Sequence, residues 1–194
     1  MNLETLEYPP LTEDIEEAKN HLDKYGMALI ANVLSGDEID EMDERLNEQF
    51  LGEEKYKVGS KVRGDEGLGI ESSEEEKVSR LVWNLINKGD CFLKLIDHPK
   101  ILPLIQHLIG EKVCLCSMGA HMNGSGNEKM ALHQDQWPLV PHPMDFPFMA
   151  NVMYLISDNS PENGGTRLIP GSHKWPLVDY RTANGEEIQK MATS

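Results

Sequence analysis

Apolar residues in the first third of the chain recur at the spacing of a single helix face. Ile15, Ala18, Leu22 and Tyr25 form one such stripe. Thr12 is placed to cap its start, Glu13 and Asp14 complement the helix dipole in the first turn, and Gly26 closes it. The short apolar run Met27 to Leu34 predicts a strand. Ser35-Gly-Asp-Glu38 then reads as a capping box at the head of a second helix, with Ile39, Met42, Leu46 and Phe50 as its buried stripe. Residues 52–76 lack apolar periodicity and predict a mobile surface loop or lid. Leu81, Leu85, Phe92 and Ile96 predict helix over 77–96, interrupted near Gly89, and a short helix over 99–109 stops at Gly110.

From Val113 the period changes. Val113 to Met122, Lys129 to Asp135, Phe148 to Ile156 and Thr166 to Ile169 read as strands. The turn NGSGN (123–127), a proline-rich loop over 136–147 and the stretch DNSPENGG separate them. Helices first and strands afterwards predict an α+β fold with an antiparallel sheet or barrel in the second half. The expected organisation is one domain over 1–194, with a mainly helical part at 1–111 and the first strands of a sheet structure at 112–194. A chain of 194 residues is long enough to bury a core without disulfides or a structural metal.

Charge narrows the class of partner. The chain carries 18 basic and 33 acidic residues, a net of −15, and residues 1–80 hold 22 of the acidic ones against 9 basic. Phosphate backbones and anionic membranes would repel such a surface, so neither nucleic acid nor membrane is expected as a partner. Three cysteines, Cys91 apart from the Cys114/Cys116 pair, do not make a disulfide framework. The start MNLETLEYPP lacks a basic n-region and an apolar h-region, and no apolar run is long enough for a membrane span; the expected location is cytoplasmic.

The chemistry concentrates at His133-Gln134-Asp135. Residues i and i+2 of a strand share a face, so one strand would present an imidazole and a carboxylate side by side. The pair is two-thirds of the facial triad of two His and one carboxylate that holds non-haem Fe(II) and leaves positions open. By itself the tripeptide is common and better describes a buried His hydrogen-bonded to an Asp.

Four blocks extend the pattern: YGMALIANVLSGDEID (25–40), HPKILPLIQHLIG (98–110), LHQDQWP (132–138) and NVMYLISDNSPENGGTRLIPGSHKWP (151–176). In this order the chain resembles the phytanoyl-CoA dioxygenase family, a branch of the Fe(II)- and 2-oxoglutarate-dependent oxygenases. The resemblance implies a double-stranded β-helix (jelly roll) with N-terminal and flanking helices. It also implies His133 and Asp135 as ligands of Fe(II), with 2-oxoglutarate and O2 as cosubstrates and succinate and CO2 as products. Halogenating relatives lack the carboxylate, so Asp135 points to hydroxylation or another oxidation of a C–H bond.

Thr166 matches the position whose hydroxyl binds a cosubstrate carboxylate, though β-branching alone suits a strand there. Met118 and Met153 either face the cosubstrate or pack in the core. Trp137 either walls the substrate pocket or is a shielded core residue. His173, in the Pro-Gly-Ser-His turn, is expected to fix the turn or border the substrate entrance, without ligating the metal. His121 and His142 are not expected as ligands, and Arg167 should face the side of the sheet opposite Thr166.

The family's distal His and its 2-oxoglutarate-binding Arg would lie several tens of residues beyond that turn, whereas this sequence reaches only Ser194 and has no His after His173. The expectation is therefore a fragment, a truncated form or a degenerate homologue, with the C-terminal strands of the roll missing. Six of the ten Met residues fall within 118–153, which suits an adaptable apolar pocket and a small, largely apolar substrate. A non-catalytic jelly-roll binding module is the alternative, and a cupin-like hydrolase or isomerase using another divalent metal is a third reading. Oligomeric state is not legible.

Overall fold

The computed structural model describes residues 7–62, 79–123, 132–133, 135, 146–175, 188 and 191–192. Strand β1 (Leu11–Thr12) leads into helix α1 (Ile15–Tyr25), and β2 (Leu29–Ile30) returns parallel to β1, pairing Leu11 with Leu29 and Thr12 with Ile30. The cap of α1 is Asp14 rather than Thr12. Asp14 has extended backbone, and its Oδ1 accepts from the N–H groups of Glu16 and Glu17 at 2.8 and 2.9 Å. Thr12 instead braces the cap, its Oγ1 accepting from the Asp14 N–H at 3.1 Å. Gly26 ends the helix in the left-handed region (φ 74°), as its sequence position predicts.

Helix α2 (Gly36–Tyr56) starts at the predicted capping box: Ser35 Oγ accepts from the Glu38 N–H, and the Glu38 carboxylate accepts from the Ser35 N–H at 2.9 Å. The Ser35 N–H, and then the Ser35 hydroxyl donating to the same carboxylate at 2.8 Å, hold the Glu38 carboxyl below its ordinary range. Met42, Leu46 and Phe50 are buried as the stripe requires. The helix runs past residue 52 to Tyr56, so the expected loop starts later than predicted; residues 63–76 of it lie outside the described residues.

Strands β3 (Ser60–Val62), β4 (Ser79–Trp83) and β5 (Gly119–Met122) form an antiparallel sheet in the order β3-β4-β5, with Leu81 opposite His121 and Val82 opposite Ala120. The strand β4 corrects the helix predicted from residue 77. Leu81 and Leu85 have helical spacing, but Val82 and Trp83 favour an extended chain, and pairing on both sides decides the outcome. Asn84, with positive φ, ends β4. A 3-10 turn (Leu85–Asn87) and the short helix α3 (Asp90–Leu93) follow, then α4 (Leu102–Ile109).

The core lies between α2, β4 and α3: Met42, Leu46, Phe50, Val82, Leu85, Cys91, Phe92 and Leu95, with Met118, Tyr154 and Ile156 packed against it. A smaller cluster joins Ile169, Ile188 and Ala192, with Leu132 and Trp175 against it.

In the second half only Gly119–Met122 of the first predicted strand lies in a ladder. Residues 153–156 keep the alternation of an extended chain: Tyr154 and Ile156 turn to the core while Met153 and Leu155 are exposed. They pair with no strand among the described residues, and Thr166–Ile169 is reduced to a single bridge at Leu168. The described residues are therefore a mixed α and β structure in which no closed roll forms. Among the described residues no helix is long and apolar enough to cross a membrane.

Two substitutions test this account in urea denaturation. Phe92→Ala, at a side chain 2% exposed, should cost ~3–5 kcal/mol. Ser35→Ala should cost ~1 kcal/mol through the lost cap.

Candidate metal centre

His133 and Asp135 stand beside the second cluster, since Leu132 packs there with Ile169 and Ile188. His133 Nε2 lies 3.3 Å from Asp135 Oδ1, and both side chains are about half exposed. The two side chains meet, but not across one face of the predicted strand Lys129 to Asp135: Leu132 and His133 are in no strand and Asp135 lies in a turn. Two adjacent ligands of an octahedral ion with bonds of ~2.1 Å stand ~3 Å apart, so this nitrogen and oxygen fit two neighbouring positions around one cation. Among the described residues no group of three or more His, Cys, Asp or Glu could hold a metal ion. The second oxygen of Asp135 accepts a hydrogen bond from the side-chain amide of Asn151 at 2.5 Å. Nothing in the residue type of Asn151 marked it as part of the site; a polar residue heading the apolar run NVMYLI is the only trace.

The other predicted residues fall at different places. Met118 is half-buried against the main core, and its carbonyl accepts from the Leu85 N–H at 3.1 Å. Met153 is 55% exposed and alternates with core-facing Tyr154. It shares the outward parity of Asn151, two residues earlier, whose amide reaches Asp135. Thr166 is exposed, and its N–H donates to Asn159 Oδ1 at 3.3 Å. Trp137 and His142 lie outside the described residues. His121 sits on β5 opposite Leu81, apart from the His133–Asp135 pair in the hydrogen-bond pattern.

The turn carrying Thr166 is built closely. The Asn163 side chain donates to the Asp158 carbonyl and accepts from the Ser160 N–H, and Gly164 takes positive φ. At Gly165 a Cβ would come within 2.8 Å of the Ser160 carbonyl, so only glycine fits without a shift. Asn123, at the end of β5, clasps this turn by donating to the Gly164 carbonyl at 2.7 Å.

His173 fixes its turn, one of the two roles expected of it. Gly171 N–H donates to the Tyr25 carbonyl at 2.7 Å, and the His173 ring lies over the bare Cα of Gly26, where a Cβ would approach Nδ1 to 2.4 Å. The ring N–H at Nε2 donates to the Asp23 carbonyl at 3.3 Å. Partial burial against α1 pushes the His173 imidazole below its usual range. Tyr154 anchors the segment bearing Asn151: its hydroxyl donates to the Leu95 carbonyl at 2.9 Å, and burial pushes its pKa up to about 12, so the phenol stays neutral.

Comparison with known proteins assigns the chain to a family. Residues 22–193 match the family described as Phytanoyl-CoA dioxygenase (PhyH). The chain belongs to the phytanoyl-CoA dioxygenase family. Dioxygenase af480 of Aspergillus fumigatus is 30% identical over 178 residues, covering 92% of this chain and 55% of that protein. A protein of Stutzerimonas stutzeri named "Probable alpha-ketoglutarate-dependent hypophosphite dioxygenase" is 27% identical, covering 89% and 58% respectively. Dioxygenase sphC of Aspergillus fumigatus is 24% identical, covering 84% and 46%. The chain thus spans about half the length of the curated relatives it matches. No solved structure is significantly similar. Phytanoyl-CoA dioxygenases share a jelly-roll Fe(II)/2-oxoglutarate fold.

The turn contact predicts a pH dependence. The neutral imidazole is favoured in the folded chain, so its stabilising contribution is complete above the unfolded value of ~6.5 and is lost as pH falls from there through the lower folded value. Thermal midpoints measured from pH 8 to pH 5 should fall more steeply for the unsubstituted chain than for His173→Gln; parallel profiles would contradict this.

Proposed function

We propose that this chain is the part of an Fe(II)- and 2-oxoglutarate-dependent dioxygenase that supplies His133 and Asp135 to the metal. The enzyme oxidises a C–H bond of a small, largely apolar metabolite and releases succinate and CO2. The observation that carries this reading is the approach of His133 Nε2 to Asp135 Oδ1 in a chain of this family. Fe(II) with 2-oxoglutarate and O2 supplies the oxidising chemistry, which no protein side chain can. The chain's own residues hold, orient and shield. His133 and Asp135 hold the cation, and the Thr166 hydroxyl donates to a carboxylate of 2-oxoglutarate. Met153, and Met118 from the core side, border the cosubstrate, and Trp137 walls the substrate pocket.

Hydroxylation or a related oxidation is favoured over halogenation because the Asp135 carboxylate would hold the metal where halogenating relatives, which lack it, would bind a halide. The alpha-ketoglutarate dependence in the name of the Stutzerimonas stutzeri relative supports the same cosubstrate. The acidic surface of the N-terminal part argues against nucleic acid and anionic membranes as partners.

The test couples O2 uptake to succinate release from 2-oxoglutarate in the longest natural form of the protein, screened with apolar acids, terpenoids and amino-acid-derived compounds. Turnover is expected, and Asp135→Ala should reduce product to background. Metal binding without turnover across the screen would favour a non-catalytic jelly-roll binding module. Full activity in Asp135→Ala would overturn the ligand assignment.

A further inference from the structure

We propose that Asn151 is a positioning residue for the metal ligand Asp135, an inference that rests on the reading of His133 and Asp135 as ligands. The carboxylate has two oxygens with different company. Oδ1 faces His133 Nε2 at 3.3 Å, while Oδ2 accepts from Asn151 Nδ2. An ionised carboxylate can only accept, so the amide must present its NH2 half. With Oδ2 engaged, Asp135 offers one oxygen on the side of the imidazole. Single-oxygen ligation keeps neighbouring positions on the cation open, as a facial site requires.

Asp135 cannot maintain this orientation unaided. It is half exposed and lies in a turn, and a carboxylate rotates broadly about its last torsion. Asn151 is better held. Three residues on, Tyr154 is packed against the main core and hydrogen-bonded to the Leu95 carbonyl, and Ile156 packs beside it. The segment therefore carries the position of the α2–β4 core to the second oxygen of the carboxylate. A hydrogen bond at so exposed a place contributes little to stability, so its effect should appear in the metal.

Partners of metal-ligating carboxylates tune affinity by about 10- to 100-fold when removed. Co(II) titration of the full chain, followed by visible absorption, reads affinity and ligand geometry without turnover. Asn151→Ala and the near-isosteric Asn151→Leu should each weaken Co(II) binding about 10- to 100-fold and alter the ligand-field bands, with the metal-free thermal midpoint unchanged. Asn151→Gln, which keeps an amide donor, should bind more tightly than either.

Asp135→Ala in the same titration separates the two readings. If it binds Co(II) as tightly as the unsubstituted chain, the ligand assignment fails and this inference falls with it. If Asp135→Ala loses binding while Asn151→Ala and Asn151→Leu keep full affinity and unchanged bands, only the positioning role is overturned.

Discussion

The packing of Tyr154 and Ile156 against the α2–β4 core is the constraint on which the rest of the site depends. Helix α2 must bury Met42, Leu46 and Phe50, and β4, the 3-10 turn and α3 supply Val82, Leu85 and Phe92 to cover them. Tyr154 and Ile156 pack against that cluster from the second half of the chain. Burying Tyr154 and Ile156 commits the alternate residues of an extended chain to the opposite direction. Asn151 then meets Asp135, and Met153 is left exposed on the same parity. A hydrophobic packing choice in the first half of the chain thus becomes an orientation of polar groups in the second.

A second tie works from the other direction. The turn bearing His173 is held to the end of α1 by the Gly171–Tyr25 hydrogen bond and by the imidazole lying over Gly26. Leu132 meets Ile169 in the small cluster, so the residue before His133 is tied to the same turn. Gly26 therefore serves twice: it lets α1 stop in the left-handed region, and it leaves room for a ring that a β-carbon would displace.

What could be read in the sequence follows the range of the interactions. The capping box at Ser35 and Glu38 and the left-handed stop at Gly26 depend on neighbours within a few residues, and both appear as read. The cap of α1 shifted two residues, because Thr12 and Asp14 are both competent and only the entering backbone chooses between them. Residues 79–83 have the spacing of a helix because Leu81 and Leu85 imitate a helical stripe, whereas the strand at 79–83 depends on β3 and β5 on either side. His133 and Asp135 stand together as the sequence suggests, but through a turn at Asp135 rather than the shared strand face their i, i+2 spacing implies. Asn151 was not legible, since an amide 16 residues from its partner leaves no local signature.

The central claim is that His133 and Asp135 together hold one divalent cation. Anaerobic Fe(II) binding by equilibrium dialysis tests it most directly, using the unsubstituted chain, His133→Ala and Asp135→Ala. The account predicts one Fe(II) per chain in the unsubstituted protein and loss of that site in each variant, with the helical circular dichroism preserved. Equal Fe(II) occupancy in all three proteins would contradict it.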